Sequence, residues 1–174
     1  MGNRALEEIM QKEFDKIGPV IFEDTDKIFA NKIRKTLTEA DILDSFQRIG
    51  INTPLDMPLC DFVAPLNNVG GGGIGSTDVG DVSWVVPTVQ ARVATCAVGT
   101  SFHTWQAVAQ GKSSLAHKGM IHAAKVMAST ARALIEDPKN LKEAKEIFNS
   151  QVSKNPYICP IPRDILPPVI KNNI

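Results

Sequence analysis

The sequence predicts an α/β domain, because segments with strand-like and helix-like patterns alternate along it. Residues 61–66 look like a short strand, and residues 88–98 are rich in β-branched residues, partly alternate and end at a glycine. Long segments with apolar residues at helical spacing lie before and after these strands. A length of 174 residues is typical of one domain, so we expect a single α/β unit.

Helices are expected before the first strand. Residues 4–16 have apolar side chains at helical spacing, and the Gly-Pro pair that follows should end this helix. A second helix is predicted to start after Asp24 or Thr25 and to run to Leu37. Residues 38–60 are predicted to add a turn of helix and then to become extended, because the residue before a proline disfavours helical geometry.

The centre of the chain is less regular. Residues 67–78 form a loop that holds five of the 12 glycines. Periodicity leaves both a strand and a helix open for residues 78–85, where valine and tryptophan alternate after possible helix-capping residues. Residues 99–111 are predicted to be a loop followed by a short strand or turn.

Two helices are expected in the last third. The first should begin at a cap on Ser113 or Ser114 and run to Glu136, with many alanines that allow close packing against a sheet. The second covers residues 139–152. The proline-rich tail, residues 155–174, should be extended and held by docking if it is ordered.

Composition excludes several classes of protein. The 19 basic and 19 acidic residues cancel, so we expect neither nucleic acid nor a membrane surface as a partner. Three widely separated cysteines predict neither a disulfide framework nor a zinc ribbon. The N-terminus lacks the apolar core of a signal peptide, and no apolar run approaches the length that spans a bilayer. A reducing, cytoplasmic location fits these features best.

The glycine loop and one histidine are the candidate functional features. A phosphate-binding loop needs a lysine directly before its Ser or Thr, and here Gly75 precedes Ser76. The loop is therefore either simply a tight or flexible connection, or a segment that contacts substrate. His103 lies in a Gly/Thr/Ser loop between a predicted strand and a long helix, a position where α/β folds carry sites. Its composition alone favours an ordinary loop histidine.

Three segments resemble a known family. Residues 75–88 (GSTDVGDVSWVVPT), 94–106 (ATCAVGTSFHTWQ) and 109–120 (AQGKSSLAHKGM) are similar to the di-metal amidohydrolases of the aminoacylase/carboxypeptidase family. The aminobenzoyl-glutamate utilization branch is the most similar, and the tail NPYICPIP also resembles it. The resemblance implies that residues 1–174 are the C-terminal half of a three-layer αβα zinc-exopeptidase-like catalytic domain, without its lid domain. It also favours a short helix at residues 78–85.

The resemblance assigns roles to a few residues. It implies that His103 is a metal ligand, and that Gly75, Ser76, Thr77 and Asp78 contact the substrate carboxylate. The metal would be zinc or manganese, and the substrate an N-acyl amino acid or aminobenzoyl-glutamate-like amide.

The family's His-x-Asp metal motif does not occur in these 174 residues, and the resemblance places the family's general-base glutamate outside them. We therefore expect no catalytic residue in this chain and little activity alone. The partner would be the N-terminal half of the same enzyme, or a second copy in a dimer. The alternative is a non-catalytic binding or assembly domain that keeps the hydrolase fold.

Overall fold

The computed structural model describes residues 1–52, 56–66, 77–162 and 164–166. Within these ranges the regular structure is helical and no strand is formed. The seven helices are α1 (Arg4–Ile17), α2 (Asp24–Arg34), α3 (Glu39–Gln47), α4 (Val79–Val85), α5 (Trp105–Gln110), α6 (Ser114–Glu136) and α7 (Pro138–Lys154).

The predicted α/β class, and with it the three-layer αβα domain, is wrong for the described chain. Residues 61–65 and 88–94 form neither helix nor strand, because neither finds a hydrogen-bonded ladder partner among the described residues. The segment around Val98 is joined to the chain near Pro58 by one backbone hydrogen bond of 2.9 Å. A strand requires a row of such bonds, so the residue pattern alone did not produce a sheet.

The first three helices begin and end near the expected residues. The Asn3 side chain caps α1 by accepting a hydrogen bond from the Leu6 N–H, and Gly18 ends the helix with a φ of 79°. Helix α2 stops at Arg34, three residues short of the predicted end. Helix α3 is longer than the single predicted turn, because Thr38 and Asp41 cap its N-terminus reciprocally.

The later helices confirm most of the predicted ones. Helix α4 forms where the pattern left helix and strand open. Ser113 caps α6, as expected, and the Asp137 side chain caps α7, with Pro138 in its first turn. Helix α5 occupies the segment for which a short strand or turn was predicted, and the Thr104 side chain caps it.

The core of the described chain contains two apolar clusters. Helices α1, α6 and α7 contact one another. The larger cluster joins α2, α6 and the extended segments, and consists of Val20, Phe22, Ala30, Ile33, Leu59, Ala97, Leu115 and Ala116. The smaller cluster joins α1 to α7 and consists of Ala5, Leu6 and Ala144.

Two buried carboxylates fix α6 against other helices. Glu13 of α1 accepts hydrogen bonds from Ser129 of α6 and from Lys16, both at 2.5 Å. Asp26 of α2 accepts one from Lys118 of α6 at 2.5 Å. Both residues are at least 95% buried, so the hydrogen bonds to their carboxylates must offset the free-energy cost of burying a charge.

Helix α6 packs on the extended segment where a sheet was predicted. A Cβ at Gly119 would meet the backbone oxygen of Ala94, and would lie 2.8 Å from Thr95 Cγ2. Gly119 therefore lets α6 approach the backbone of residues 94 and 95 closely, as predicted for packing on a sheet, although here the partner is one extended segment. Several large apolar side chains of α6 are exposed to solvent, namely Met120, Ile121, Met127 and Ile135.

The described part of the tail is hydrogen-bonded to α4. The Tyr157 hydroxyl donates a hydrogen bond of 2.9 Å to Asp81 of α4, which agrees with the prediction of an extended, docked tail up to that point. The glycine loop at residues 67–76 and the tail at 163 and 167–174 lie outside the described residues. Among the described helices, none is both long and apolar enough to cross a membrane.

Candidate functional site

His103 lies at the surface in an unusual backbone conformation. Its φ is 64°, the left-handed region that residues with a side chain seldom adopt, and its side chain is exposed. Among the described residues other than glycine, it is the one with a positive φ. Such outliers persist where the surrounding structure fixes them, and they are frequent at functional sites.

The buried side chain of Gln110 holds the chain that leads to His103. Gln110 is 1% exposed. Its Oε1 accepts the N–H of Ala97 at 2.7 Å, and its Nε2 donates to Thr100 Oγ1 at 3.0 Å. Nε2 also donates to the carbonyl of Gln106 at 3.0 Å. One side chain thus connects α5 to the residues on both sides of the turn.

Two further contacts complete this turn. The N–H of Gly99 donates to Ser45 Oγ of α3 at 3.0 Å, and a Cβ at Gly99 would lie 2.9 Å from Ile42. The Thr104 hydroxyl donates to the carbonyl of Ser101 at 2.7 Å, and accepts the Ala107 N–H at 3.3 Å. The exposed imidazole is therefore carried by a backbone that is bound on both sides.

Large apolar side chains near His103 in the sequence are exposed at the surface. Phe102 is 74% exposed, Trp105 is 60% exposed and Val108 is 80% exposed. Exposed apolar patches of this kind commonly mark contact surfaces. His103 therefore lies in a segment that exposes several large apolar side chains.

The other predicted site residues lie at the start of α4. Gly75 and Ser76 are outside the described residues. Thr77 and Asp78 are exposed, and Thr77 accepts the Val79 N–H at its hydroxyl at 3.3 Å. Thr77 lines a cavity whose described wall does not include His103. Of the two parts of the predicted site, the described lining of this cavity therefore includes only Thr77.

This cavity has a volume of about 700 Å³ and is lined mainly by apolar side chains. Its walls come from α1, the segments near residues 60–66 and 88–94, the start of α4, and His122 of α6. Burial raises the pKa of the Cys60 thiol in its wall, so that thiol is a poor nucleophile. The cavity offers mainly apolar contact, and Glu7, Arg92 and His122 are ionisable side chains in its described lining.

The described residues do not form a complete metal site. They contain no group of three or more His, Cys, Asp or Glu side chains that could hold a metal ion. An imidazole such as His103 is a suitable ligand for zinc or manganese, but catalytic metal sites generally have three protein ligands. His117 is exposed and His122 half-buried on α6.

The chain is similar to part of a curated hydrolase subunit. The relative that shows this is a subunit of the p-aminobenzoyl-glutamate hydrolase of Escherichia coli (strain K12), which is 37% identical over 179 aligned positions. The resemblance found in the sequence is thereby confirmed. The alignment covers 97% of this chain and 37% of the relative, so the chain spans little more than a third of that protein.

Two other comparisons gave no match. No family model matches the chain. No solved structure matches it either.

Two parts of this arrangement were not anticipated. Nothing in the sequence indicated the cavity, because its walls come from segments far apart in the chain. Gln110 was not recognised either, since a glutamine near a helix end is normally exposed. The short spacing between Gln110 and the glycine-flanked turn at residues 99–104 is the signal that could have indicated a contact.

Proposed function

We propose that this chain is one part of a metal-dependent amidohydrolase that cleaves N-acyl amino acid or aminobenzoyl-glutamate-like amides. It corresponds to the C-terminal part of the catalytic unit and is inactive alone. The remaining ligands and the general base come from the other part of the enzyme, or from another subunit. The homologous protein is named as a subunit of a hydrolase acting on p-aminobenzoyl-glutamate, which supports this assignment.

The turn that carries His103 is the observation that supports the proposal most directly. A positive φ at a residue other than glycine costs about 1–2 kcal/mol, so the backbone conformation of His103 does not stabilise the fold. Gln110, Ser45 and Thr104 nevertheless hold the turn. An imidazole at a fixed, exposed position is what a ligand to a shared metal requires.

In this proposal His103 supplies one metal ligand, while Gly75, Ser76, Thr77 and Asp78 contact the substrate carboxylate. Zinc or manganese would polarise the amide carbonyl and lower the pKa of a bound water. The described chain itself contributes the position of the imidazole and the exposed apolar surface around it. A partner must provide at least two more ligands, because one imidazole does not retain a catalytic metal.

Calorimetry with zinc or manganese tests this division of the site. The chain alone should bind either metal weakly. The part of the Escherichia coli relative that lies outside the alignment, produced as a separate polypeptide, should create a tight site when it is mixed with this chain. The mixture should also hydrolyse p-aminobenzoyl-glutamate.

A matched pair of variants assigns the ligand. His103→Ala should reduce metal affinity of the mixture at least tenfold, whereas His117→Ala, an exposed histidine on α6, should leave it unchanged. A tight stoichiometric site in the isolated chain would contradict the proposal. Equal effects of the two variants would remove His103 from the metal site.

A non-catalytic binding or assembly domain is the second candidate. The described residues hold no ligand cluster, and the cavity is mainly apolar, which favours this interpretation. The same mixture separates the two functions. Stable assembly without metal uptake or hydrolysis would support the assembly domain.

A further inference from the structure

Residues 88–94 have the side-chain pattern of a strand. Val89, Ala91 and Val93 are half-buried, while Gln90 and Arg92 between them are exposed. Alternation with a period of two is the pattern of an extended segment that packs one of its two faces on the core.

The inward side chains join both apolar clusters. Val89 packs against the cluster that contains Leu6 of α1 and Ala144 of α7. Val93 and Ala94 pack against the larger cluster, next to α6. The segment therefore crosses the helical unit from one cluster to the other and is fixed by its side chains at both ends.

The backbone of this segment lacks the pairing that normally accompanies the pattern. Residues 89–93 make no hydrogen bond within the part of the chain that the structure describes. Immediately after them, Ala97 and Gly99 donate to side chains of Gln110 and Ser45. Half-buried backbone groups are almost always paired with protein or water, so five consecutive residues without protein partners are an open edge.

The segment with the open edge lines the cavity. Residues 88–94 form one wall, and Phe62, Val63 and Ala64 line another. Val63 also makes no hydrogen bond within the described chain, while the Ala64 carbonyl accepts one from Gln11 at 3.3 Å. The space between these segments is mainly apolar, and α1 contributes Met10 and Phe14 to it.

We propose that this cavity is a docking groove for an extended, apolar polypeptide segment that pairs with the backbone of residues 88–94. The occupant belongs to the part of the hydrolase that this chain lacks, so its identity rests on the proposed function. Most of the homologous protein has no counterpart here, since the alignment covers 37% of it. Main-chain pairing supplies affinity and the apolar walls select the side chains, as in other cases of strand addition.

Amide hydrogen exchange, followed by NMR, tests the groove on the full chain. Alone, the amides of residues 89–93 should exchange rapidly. When the non-aligned part of the Escherichia coli relative binds, alternate amides in this segment should slow by roughly 100-fold, because successive N–H groups of an extended chain point to opposite edges. Unchanged exchange throughout the segment in a formed complex would overturn the proposal.

Proline substitutions provide a second measurement. Gln90→Pro and Ala91→Pro remove N–H groups that point in opposite directions, so only one of the two should weaken binding of the added polypeptide at least tenfold. Thermal unfolding of each variant checks that the chain still folds. Equal binding by both folded variants would count against backbone pairing.

The outcomes distinguish this docking from the proposed function. Hydrolysis restored with the segment unprotected would overturn the groove and leave the proposed function in place. Protection of alternate amides, together with no effect of His103→Ala on metal uptake, would support the groove and overturn the proposed function. Protection that grows with the concentration of this chain alone would mean that a second copy occupies the groove, which also overturns the proposal.

Discussion

The side chain of Gln110 accepts the backbone N–H of Ala97 at 2.7 Å, and both residues are 1% exposed. This buried bond joins α5 to the segment that leads into the turn of His103. An unpaired N–H at such a position costs more than an ordinary hydrogen bond contributes, because no water replaces the partner. The geometry of the candidate metal ligand therefore depends on a residue further along the chain, at the end of α5.

Gln110→Met should lower the free energy of unfolding by about 2 kcal/mol, since it keeps the volume but leaves the Ala97 N–H unpaired. Gln47→Met, at an exposed position of α3, is the control and should change stability by less than about 0.5 kcal/mol. Urea unfolding measures both. Equal stabilities of the two variants would show that the buried bond contributes nothing.

His103→Gly should be more stable than His103→Ala by about 1 kcal/mol, because glycine adopts a φ of 64° without steric cost. The comparison is made by thermal unfolding. Both variants should remain folded, so a loss of metal uptake in either reports the imidazole. A less stable glycine variant would mean that the turn does not strain its residue.

Gly119→Ala should destabilise the chain by about 1–3 kcal/mol, because the new Cβ would meet the Ala94 backbone. Gly80→Ala, in α4, has nothing within 4 Å of its Cβ and should stabilise by about 0.5–1 kcal/mol. Denaturant unfolding of the pair gives the sign directly. A neutral Gly119→Ala would require α6 to lie further from the extended segment.

The two buried carboxylates predict a loss of stability in acid. Burial raises the pKa of Asp26. Hydrogen bonds from Lys118, the Glu23 backbone and Ser114 lower it by more than burial raises it, so the pKa of Asp26 lies below its usual value. The bond from Lys16 and that from Ser129 lower the pKa of Glu13. A depressed folded pKa adds stability above the unfolded pKa of about 4, and this is lost as pH falls through the folded value.

Unfolding free energies measured from pH 7 down to about pH 3 check this prediction. The wild-type curve should fall below about pH 4, and Asp26→Asn should flatten it while lowering stability at neutral pH. Asp61→Asn, which changes an exposed carboxylate, should keep the wild-type slope. An Asp26→Asn curve with the wild-type slope would exclude Asp26 as a source of the acid sensitivity.

Most of the described helices were predictable from the sequence, with α5 the exception, and the strands were wrongly predicted for a physical reason. Helix patterns are local, so caps such as Ser113 and stops such as Gly18 were readable from neighbouring residues. A strand depends on hydrogen bonds to distant chain, and residues 88–94 have the side-chain alternation without that pairing. The alternation is present in the burial of these side chains, and the sheet that it predicted does not form among the described residues.

The candidate site was predicted only in part. His103 was found through its resemblance to a family, and the structure adds that its backbone is held in the left-handed region. The buried role of Gln110 follows from three contacts with Ala97, Thr100 and Gln106, which no local pattern encodes.

Helix α6 buries apolar side chains such as Leu115 and Val126 in the core, and exposes others, with Met120, Met127 and Ile135, to solvent. Large apolar side chains that are exposed on one helix favour association with another apolar surface. The isolated chain should therefore self-associate. Its solubility should fall as sulfate is added and rise with mild detergent. Co-expression with a polypeptide that covers the helix is the practical route to a well-behaved sample.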